Sequence, residues 1–248
     1  MHVSKYNASG NDFVIFHAFK QVDCSALAQT LCHRQSGIGA DGLIVLLPHE
    51  TYDFQWQFYN SDGSMAAMCG NGTRACAHYA FQNGLAPANM SFLTQAGVIR
   101  SSVEGDIVET QLSESKKLRD PFVYVGKTWY FYDTGVPHLV TFTENLDDFD
   151  LALASKLRYE YNANVNFASI TPEGLFVRTY ERGVEGETLA CGTGMAACFR
   201  SAYDQGNIPD KIKVYPRSNE ELALRIEEGQ LYFKGKVSKV FDTSIDAL

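Results

Sequence analysis

"MCGNGTRACAHYA", residues 68–80, and "ACGTGMAACFRSA", residues 190–202, share the frame C-G-x-G-x-x-A-C, once in each half of a 248-residue chain. Superposing Cys69 on Cys191 also matches Gly70 with Gly192, Gly72 with Gly194, Ala75 with Ala197, Cys76 with Cys198 and Ala80 with Ala202. Average residue frequencies give about one such match by chance. Upstream, each cysteine follows an apolar run ending in Tyr59 or Tyr180 and then a polar, glycine-containing loop, "NSDGSMAAM" or "ERGVEGETLA". The repeat predicts a duplicated strand–loop–cysteine–helix unit, and so a mixed α/β chain made of two pseudo-symmetric halves. The polar, aperiodic stretch "SESKKLRDP" (113–121) is the expected division: residues 1–118 carry Cys69, with the last few C-terminal residues available to complete that domain, and residues 119–248 carry Cys191.

Composition narrows the class of function. The chain is 45% apolar and 12% aromatic, enough for one large or two smaller cores and too much for disorder. Its formal net charge is −8 and its basic residues are scattered, which excludes a stripe that could track a phosphate backbone and with it a nucleic-acid partner. "MHVSKYNASGNDF" lacks a charged leader followed by an apolar core, and the longest apolar run, "GLIVLLP", is far short of a membrane span. The expectation is a cytoplasmic protein with no membrane contact, its six cysteines reduced.

Periodicity predicts strands at "HVSKY", "NDFVIFH", "GLIVLLP" and "DFQWQFYN", and a helix over "CSALAQTLCHR" with Asp23 as N-cap. A second helix should run from "CGNG" to a stop at Asn83 and Gly84, followed by a hairpin turning near Gly105. The second half repeats this plan: strands at "FVYVG", "WYFYD" and "HLVTF", a helix over "LDDFDLALASKLRYE", strands at "NVNFASI" and "LFVRTYE", a helix from "CGTG" to Gly206, then "KIKVYP" and a hairpin at Gly229.

Each C-G-x-G segment places a cysteine where a helix begins. Such a terminus carries partial positive charge and unpaired N–H donors, which suits an anion and pulls a thiol toward a pKa of roughly 3.5–7.5 from about 8.5. Cys69 and Cys191 are thus candidate thiolates. Cys76 and Cys198, two helical turns on among small residues, read as packing cysteines. Two activated thiols on related halves suggest one site between the domains, where a thiolate removes a proton from one face of a tetrahedral carbon and a thiol returns one to the other. The helix N-termini would hold the substrate carboxylate and stabilise the charge that develops beside it. Stereoinversion of an α-amino acid is the reaction this arrangement fits best. A single "CGTG" would more readily be a tight turn with a buried thiol; two copies in register argue against that.

At this point the chain resembles the diaminopimelate epimerase family. The matching segments are "NASGNDFV", "RQSGIGADGLI" (34–44), "FYNSDGSMAAMCGNGTRA" (58–75), "GVPHLV" (135–140), "NVNF" (164–167) and "RTYERGVEGETLACGTG" (178–194), six in family order. The resemblance implies two similar α/β domains, each a barrel-like strand arrangement around a central helix, and a homodimer. It also implies a cofactor-independent and metal-independent isomerase that interconverts LL- and meso-2,6-diaminopimelate for lysine biosynthesis and peptidoglycan supply. Carried over by position, it makes Cys69 and Cys191 the proton-transfer residues, with His138 and Glu181 setting their protonation and orientation. Asn11, Asn60, Asn164, Glu181 and Arg182 would bind substrate, and Gly70, Asn71, Gly192 and Thr193 would present N–H groups to the reacting carboxylate. Taken singly, His138 reads as a core histidine, Glu181 and Arg182 as a solvated pair, and the three asparagines as turn residues.

Three positions depart from the family pattern. Val136 stands where Asn usually precedes Pro-His, the loop "ERGVEGETLAC" is one residue longer than usual, and Gly42 stands where some members carry a polar side chain. Competing readings are a proline racemase-like or hydroxyproline epimerase, in which His commonly stands at the position of Asn71; a cysteine hydrolase, which has no need of two equivalent thiols; and a zinc-binding or structural domain, for which no C-x-x-C or H-E-x-x-H is present.

Overall fold

A computed structural model describes residues 1–245. The chain folds as two compact units, one of Met1–Gln111 joined by the chain from Lys234 onward, the other of Leu112–Phe233. In the first unit the order is β1 (His2–Ala8), β2 (Asn11–His17), α1 (Ser25–Cys32), β3 (Gly42–Leu47), β4 (Phe54–Asn60), α2 (Gly70–Gln82), β5 (Asn89–Thr94), β6 (Gly97–Glu104) and β7 (Ile107–Gln111). The remaining elements are β8 (Lys116–Tyr124), β9 (Lys127–Asp133), β10 (Pro137–Phe142), α3 (Leu151–Tyr161), β11 (Asn164–Thr171), β12 (Gly174–Glu181), β13 (Gly186–Thr188), α4 (Gly192–Asp204), β14 (Lys211–Pro216), β15 (Leu222–Glu227), β16 (Gln230–Lys236) and β17 (Ser238–Ser244).

The duplication inferred from the two motifs extends to strand pairing. In the first unit β1 and β2 form a hairpin, β3 runs parallel to β2 after α1, β4 returns antiparallel, and β5 runs parallel to β4 after α2. In the second, β9 and β10 form a hairpin, β11 runs parallel to β10 after α3, β12 returns antiparallel, and β14 runs parallel to β12 after α4. Each parallel step needs a crossover, and a helix supplies it.

Each unit is built around one buried helix. Ten consecutive residues of α2, Asn71–Ala80, are buried, so this stretch has no solvent face, and the helix packs against β1, β2, β3, β6 and β7. Tyr6, Phe13, Ile15, Ile44, Trp56, Phe58 and Phe92 pack around Ala75, Cys76, Tyr79 and Ala80. The small residues of the repeated frame let strands approach the helix, and each large side chain buried there contributes about 1.5–3 kcal/mol. The opposite face of the same strands carries Val14, Leu43, Val45 and Tyr59, which α1 covers with Ala28, Leu31 and Cys32. This two-sided burial explains the unbroken apolar run "GLIVLL" in β3. In the second unit α4 is the central helix, packed against β9 to β12, and α3 covers the other face with Leu153, Ala154 and Leu157 on Leu139, Val165 and Phe167.

Several predicted boundaries move. Asp23 lies one residue ahead of the α1 cap position, which Cys24 occupies; its carboxylate instead accepts from the Ser25 N–H and Oγ–H. The expected helix over 146–160 is split, with a short 3-10 turn at 146–148 followed by α3, whose N-cap Asp150 accepts from the Leu153 N–H at 2.9 Å. The stretch 113–121 is not a loop for most of its length, because Lys116–Tyr124 forms β8 and pairs with β9. Its residues are almost all exposed, so no buried face imposes an alternating pattern on the sequence. The helix stops at Asn83–Gly84 and Gly206, and the turns at Gly105 and Gly229, lie where glycine spacing placed them.

Candidate functional site

Cys69 is the N-cap of α2, in extended conformation at φ −150° and ψ 116°, and its Sγ accepts from the Gly72 N–H at 3.4 Å. A sulfur thus fills the role usually taken by a Ser or Asp oxygen. The amides of Gly70 and Asn71, at the head of the helix, have no intrahelical carbonyl to bond and remain suited to an anion. The Cys69 S–H donates to Asn11 Oδ1 at 3.5 Å, and Asn11 is itself fixed, because its Nδ2 donates to Asp41 Oδ2 at 2.6 Å. Asp41 also accepts from Arg34 at 2.6 Å. The Asn71 side chain is turned inward, its Oδ1 accepting at 2.6 Å from the fully buried guanidinium of Arg74, which also donates to Ser9 Oγ and the Lys236 carbonyl. Asn60, at the end of β4, donates from Nδ2 to Ser64 Oγ at 2.9 Å.

Cys191 is the N-cap of α4 in the same extended conformation, but its side chain makes no cap hydrogen bond. Its Sγ lies 3.5 Å from Thr193 Oγ1 and is hydrogen-bonded to the carboxylate of Glu181. Burial holds the Glu181 carboxyl above its usual range, against hydrogen bonds from Thr188 Oγ1 (2.9 Å) and Cys191 that favour the anion. Position 194 must be glycine: a Cβ there would lie 2.4 Å from Asn166 Oδ1 and 3.0 Å from Thr179 Oγ1. The start of α4 is thereby seated directly on β11 and β12. The carbonyl of Thr193 accepts from Thr134 Oγ1 at 2.8 Å, which pins the same turn.

His138 on β10 is fully buried, between Asn164 and Asn166 on β11. Its Nε2 lies 3.3 Å from Asn164 Nδ2 and its Nδ1 lies 3.1 Å from Asn166 Nδ2. Burial, aided by the charge of Arg182, lowers its pKa to about 3. Asn164 Oδ1 accepts from the Arg182 backbone N–H at 2.7 Å, while the Arg182 guanidinium donates to the Asn162 carbonyl at 2.9 Å. Glu181 and Arg182 are therefore not the solvated pair that either would suggest alone, since each has its own partners.

The three family departures have distinct structural consequences. The longer loop is taken up in the turn between β12 and β13, where Glu185 adopts φ +57° and pairs with Arg158 at 2.7 Å; Glu181 still pairs with Gly186 across the hairpin. Gly42 has no space for a side chain, since a Cβ would lie 2.5 Å from the Phe58 ring and 2.8 Å from the Tyr59 carbonyl. Val136 is half-buried, and its carbonyl accepts from the Thr134 N–H at 3.2 Å. Cys76 and Cys198 are fully buried and their thiols are pushed well up by desolvation, which makes them packing residues.

Asp41, Arg74, Asn166, Thr179 and Thr188 were not singled out in the sequence. Asn166 carried one usable signal, its two-residue spacing from Asn164, which puts both amides on one face of a strand.

A family model described as diaminopimelate epimerase matches residues 3–117 and 130–240. A diaminopimelate epimerase from a Nitratiruptor species is 60% identical over 244 residues, covering 98% of both chains. Another, from Campylobacter jejuni subsp. jejuni, is 55% identical over 245 residues with the same coverage. Among solved structures, a Bacillus anthracis phenazine biosynthesis protein of the PhzF family superposes with a TM-score of 0.75 at 14% identity, covering 100% of this chain and 99% of its own, which establishes a shared fold. Near-full-length identity at this level, on a chain whose two cysteines each head a buried central helix, places the protein in the diaminopimelate epimerase family.

Proposed function

We propose that the protein interconverts LL- and meso-2,6-diaminopimelate by proton transfer at the α-carbon, without an added cofactor or metal, with Cys69 and Cys191 serving opposite faces of that carbon. The observation that carries this reading is the placement of both cysteines as helix N-caps within a chain 60% identical to a named diaminopimelate epimerase. In one direction the thiolate of one cysteine takes the α-proton, and the thiol of the other delivers a proton to the opposite face; the reverse reaction exchanges the roles. The free amides at the starts of α2 and α4, from Gly70 with Asn71 and from Gly192 with Thr193, would bind the α-carboxylate and stabilise the charge spreading into it as the proton leaves. Glu181, hydrogen-bonded to Cys191, would tune that thiol, and Asn11 would do so for Cys69. Asn60, Asn164 and Arg182 would hold the distal amino-acid end, an arginine gripping a carboxylate while the amides offer both donor and acceptor.

This chemistry fits a cytoplasmic enzyme of lysine and peptidoglycan precursor synthesis, and all six cysteines are unbridged. Assembly as a homodimer, which membership of the family implies, is tested directly by sedimentation equilibrium. The function itself is tested by incubating LL-diaminopimelate with metal-free, dialysed enzyme. Meso product is expected from the wild type and from neither Cys69→Ala nor Cys191→Ala. Inversion at the wild-type rate by either variant would contradict the two-thiol scheme, and preference for proline or hydroxyproline would favour the racemase alternative.

A further inference from the structure

Asn166 sits at the centre of a buried polar group for which the reaction outlined above gives no reason. It is fully buried, as is His138 beside it. Its Nδ2 donates to the Leu139 carbonyl at 2.8 Å, and its Oδ1 accepts from Thr179 Oγ1 at 2.8 Å. The carbonyl of Leu139 can only accept, so the atom facing it must be the amide nitrogen. Thr179 can donate or accept, and with the amide so fixed it must donate. The second hydrogen on Nδ2 then points to His138 Nδ1 at 3.1 Å, and that nitrogen must accept it.

We propose that Asn166, held by Thr179 and the Leu139 carbonyl, is a positioning residue that fixes His138 as the neutral imidazole with its proton on Nε2. A similar constraint acts at the other ring nitrogen. Asn164 Oδ1 is committed to the Arg182 backbone N–H, which can only donate, so Asn164 presents Nδ2 to His138 Nε2. An imidazolium would therefore face an N–H donor at both nitrogens, which disfavours the charged ring. In the neutral ring, the Nε2 proton meets a donor at 3.3 Å and gains nothing from it. Held in the ring plane, it has no acceptor among its described partners.

The surroundings agree with this assignment. Tyr132 is paired opposite His138 on β9 and is neutral, its hydroxyl donating to Asp204 at 2.8 Å. Arg182 adds a positive charge that opposes protonation of the ring. Glu181 at the end of β12 is directed to Thr188 and Cys191, and Cys198 on α4 is protonated. No carboxylate among the described partners of the ring calls for an imidazolium. The seating of Gly194 against Asn166 Oδ1 and Thr179 Oγ1 ties this tautomer to the start of α4, one turn from Cys191. The effect on catalysis rests on the epimerase reading, but the tautomer does not.

The test is two-bond hydrogen–nitrogen NMR on full-length protein with 15N-labelled imidazoles, His138 being assigned from the spectrum of His138→Gln. Wild type should show His138 with Nδ1 unprotonated and Nε2 protonated, without titrating between about pH 5.5 and 8.5. Asn166→Asp turns the donor at Nδ1 into an acceptor. It should move the proton to Nδ1, bring an imidazolium into that pH range, and add a limb to the pH profile of kcat. The accompanying fall in kcat should be on the order of 10²-fold, with KM little changed. A wild-type ring protonated at Nδ1, or charged at neutral pH, overturns the proposal even if Asn166→Asp does not fold, as does an Asn166→Asp spectrum identical to wild type. An enzyme with the expected tautomer but no diaminopimelate epimerisation would overturn the functional reading and leave this one standing.

Discussion

Cys69 and Cys191 occupy equivalent positions in the repeat, yet their neighbours differ. The sulfur of Cys69 meets a neutral amide oxygen and a helix N–H, whereas that of Cys191 meets a buried carboxyl. Two buried titratable groups beside these sites give the protein opposite pH signatures. Glu181 has its pKa raised on folding, so its contribution to stability is fully present below the unfolded value of about 4.3 and is lost as pH rises through the folded value. Glu181→Gln should therefore gain in Tm relative to wild type between pH 4 and pH 8, while kcat falls on the order of 10²-fold or more. A loss of Tm that grows with pH would contradict the burial argument. For His138 the sign is reversed: its pKa is lowered from 6.5 to about 3, so stability is intact above 6.5 and drains away as pH falls toward 3, by at most about 1.4 kcal/mol per pH unit. Urea unfolding of His138→Gln should show a flatter acid limb than wild type in that window. The cysteines were legible in the sequence because the frame is duplicated and glycine punctuates it. The polar contacts around them were not: Asp41 reaches Asn11 across 30 positions, and Thr179 reaches Asn166 across a strand pair, contacts that no local pattern encodes.

The helices α2 and α4 were readable from one end to the other because their signals are local, a glycine-flanked cysteine at the start and a glycine just past the end. The glycines within the frame are nevertheless not equivalent. A Cβ at Gly192 would make ordinary contact at 3.5 Å with Phe233, and one at Gly72 would do the same at 3.4–3.5 Å with Cys69, Ile44 and Trp56. At Gly194 it would collide with Asn166. Gly194→Ala should destabilise the protein by about 1–3 kcal/mol and impair turnover, whereas Gly192→Ala should be the milder change; paired thermal melts decide the ranking, and equal losses would contradict it. The elements that escaped notice were β5, β13, β17 and most of β8. β8 and β17 are exposed along nearly their whole length and β13 is only three residues long, so none of these three buries an alternating face that could mark it as a strand, whereas β5 does bury Met90, Phe92 and Thr94 in alternation.

The molecule is a duplication carried through to its topology, with two hairpins, two parallel crossovers and two buried central helices in the same order. The repeat in sequence is confined to about a dozen residues, whereas the repeat in structure extends over most of both units. Strand identity in each unit is set by burial against a helix, and many different apolar residues satisfy that requirement, so the similarity survives only where small residues are needed at the helix N-terminus. The functional consequence proposed for the duplication is a pair of thiols, and isotope transfer in heavy water tests that pairing most directly. When wild-type enzyme converts LL-diaminopimelate in D₂O, early meso product should carry deuterium at the inverted α-carbon, while unreacted LL substrate keeps its proton. Return of the substrate's own proton to the inverted centre, or wash-out of that proton from LL substrate without inversion, would show that a single base does the work.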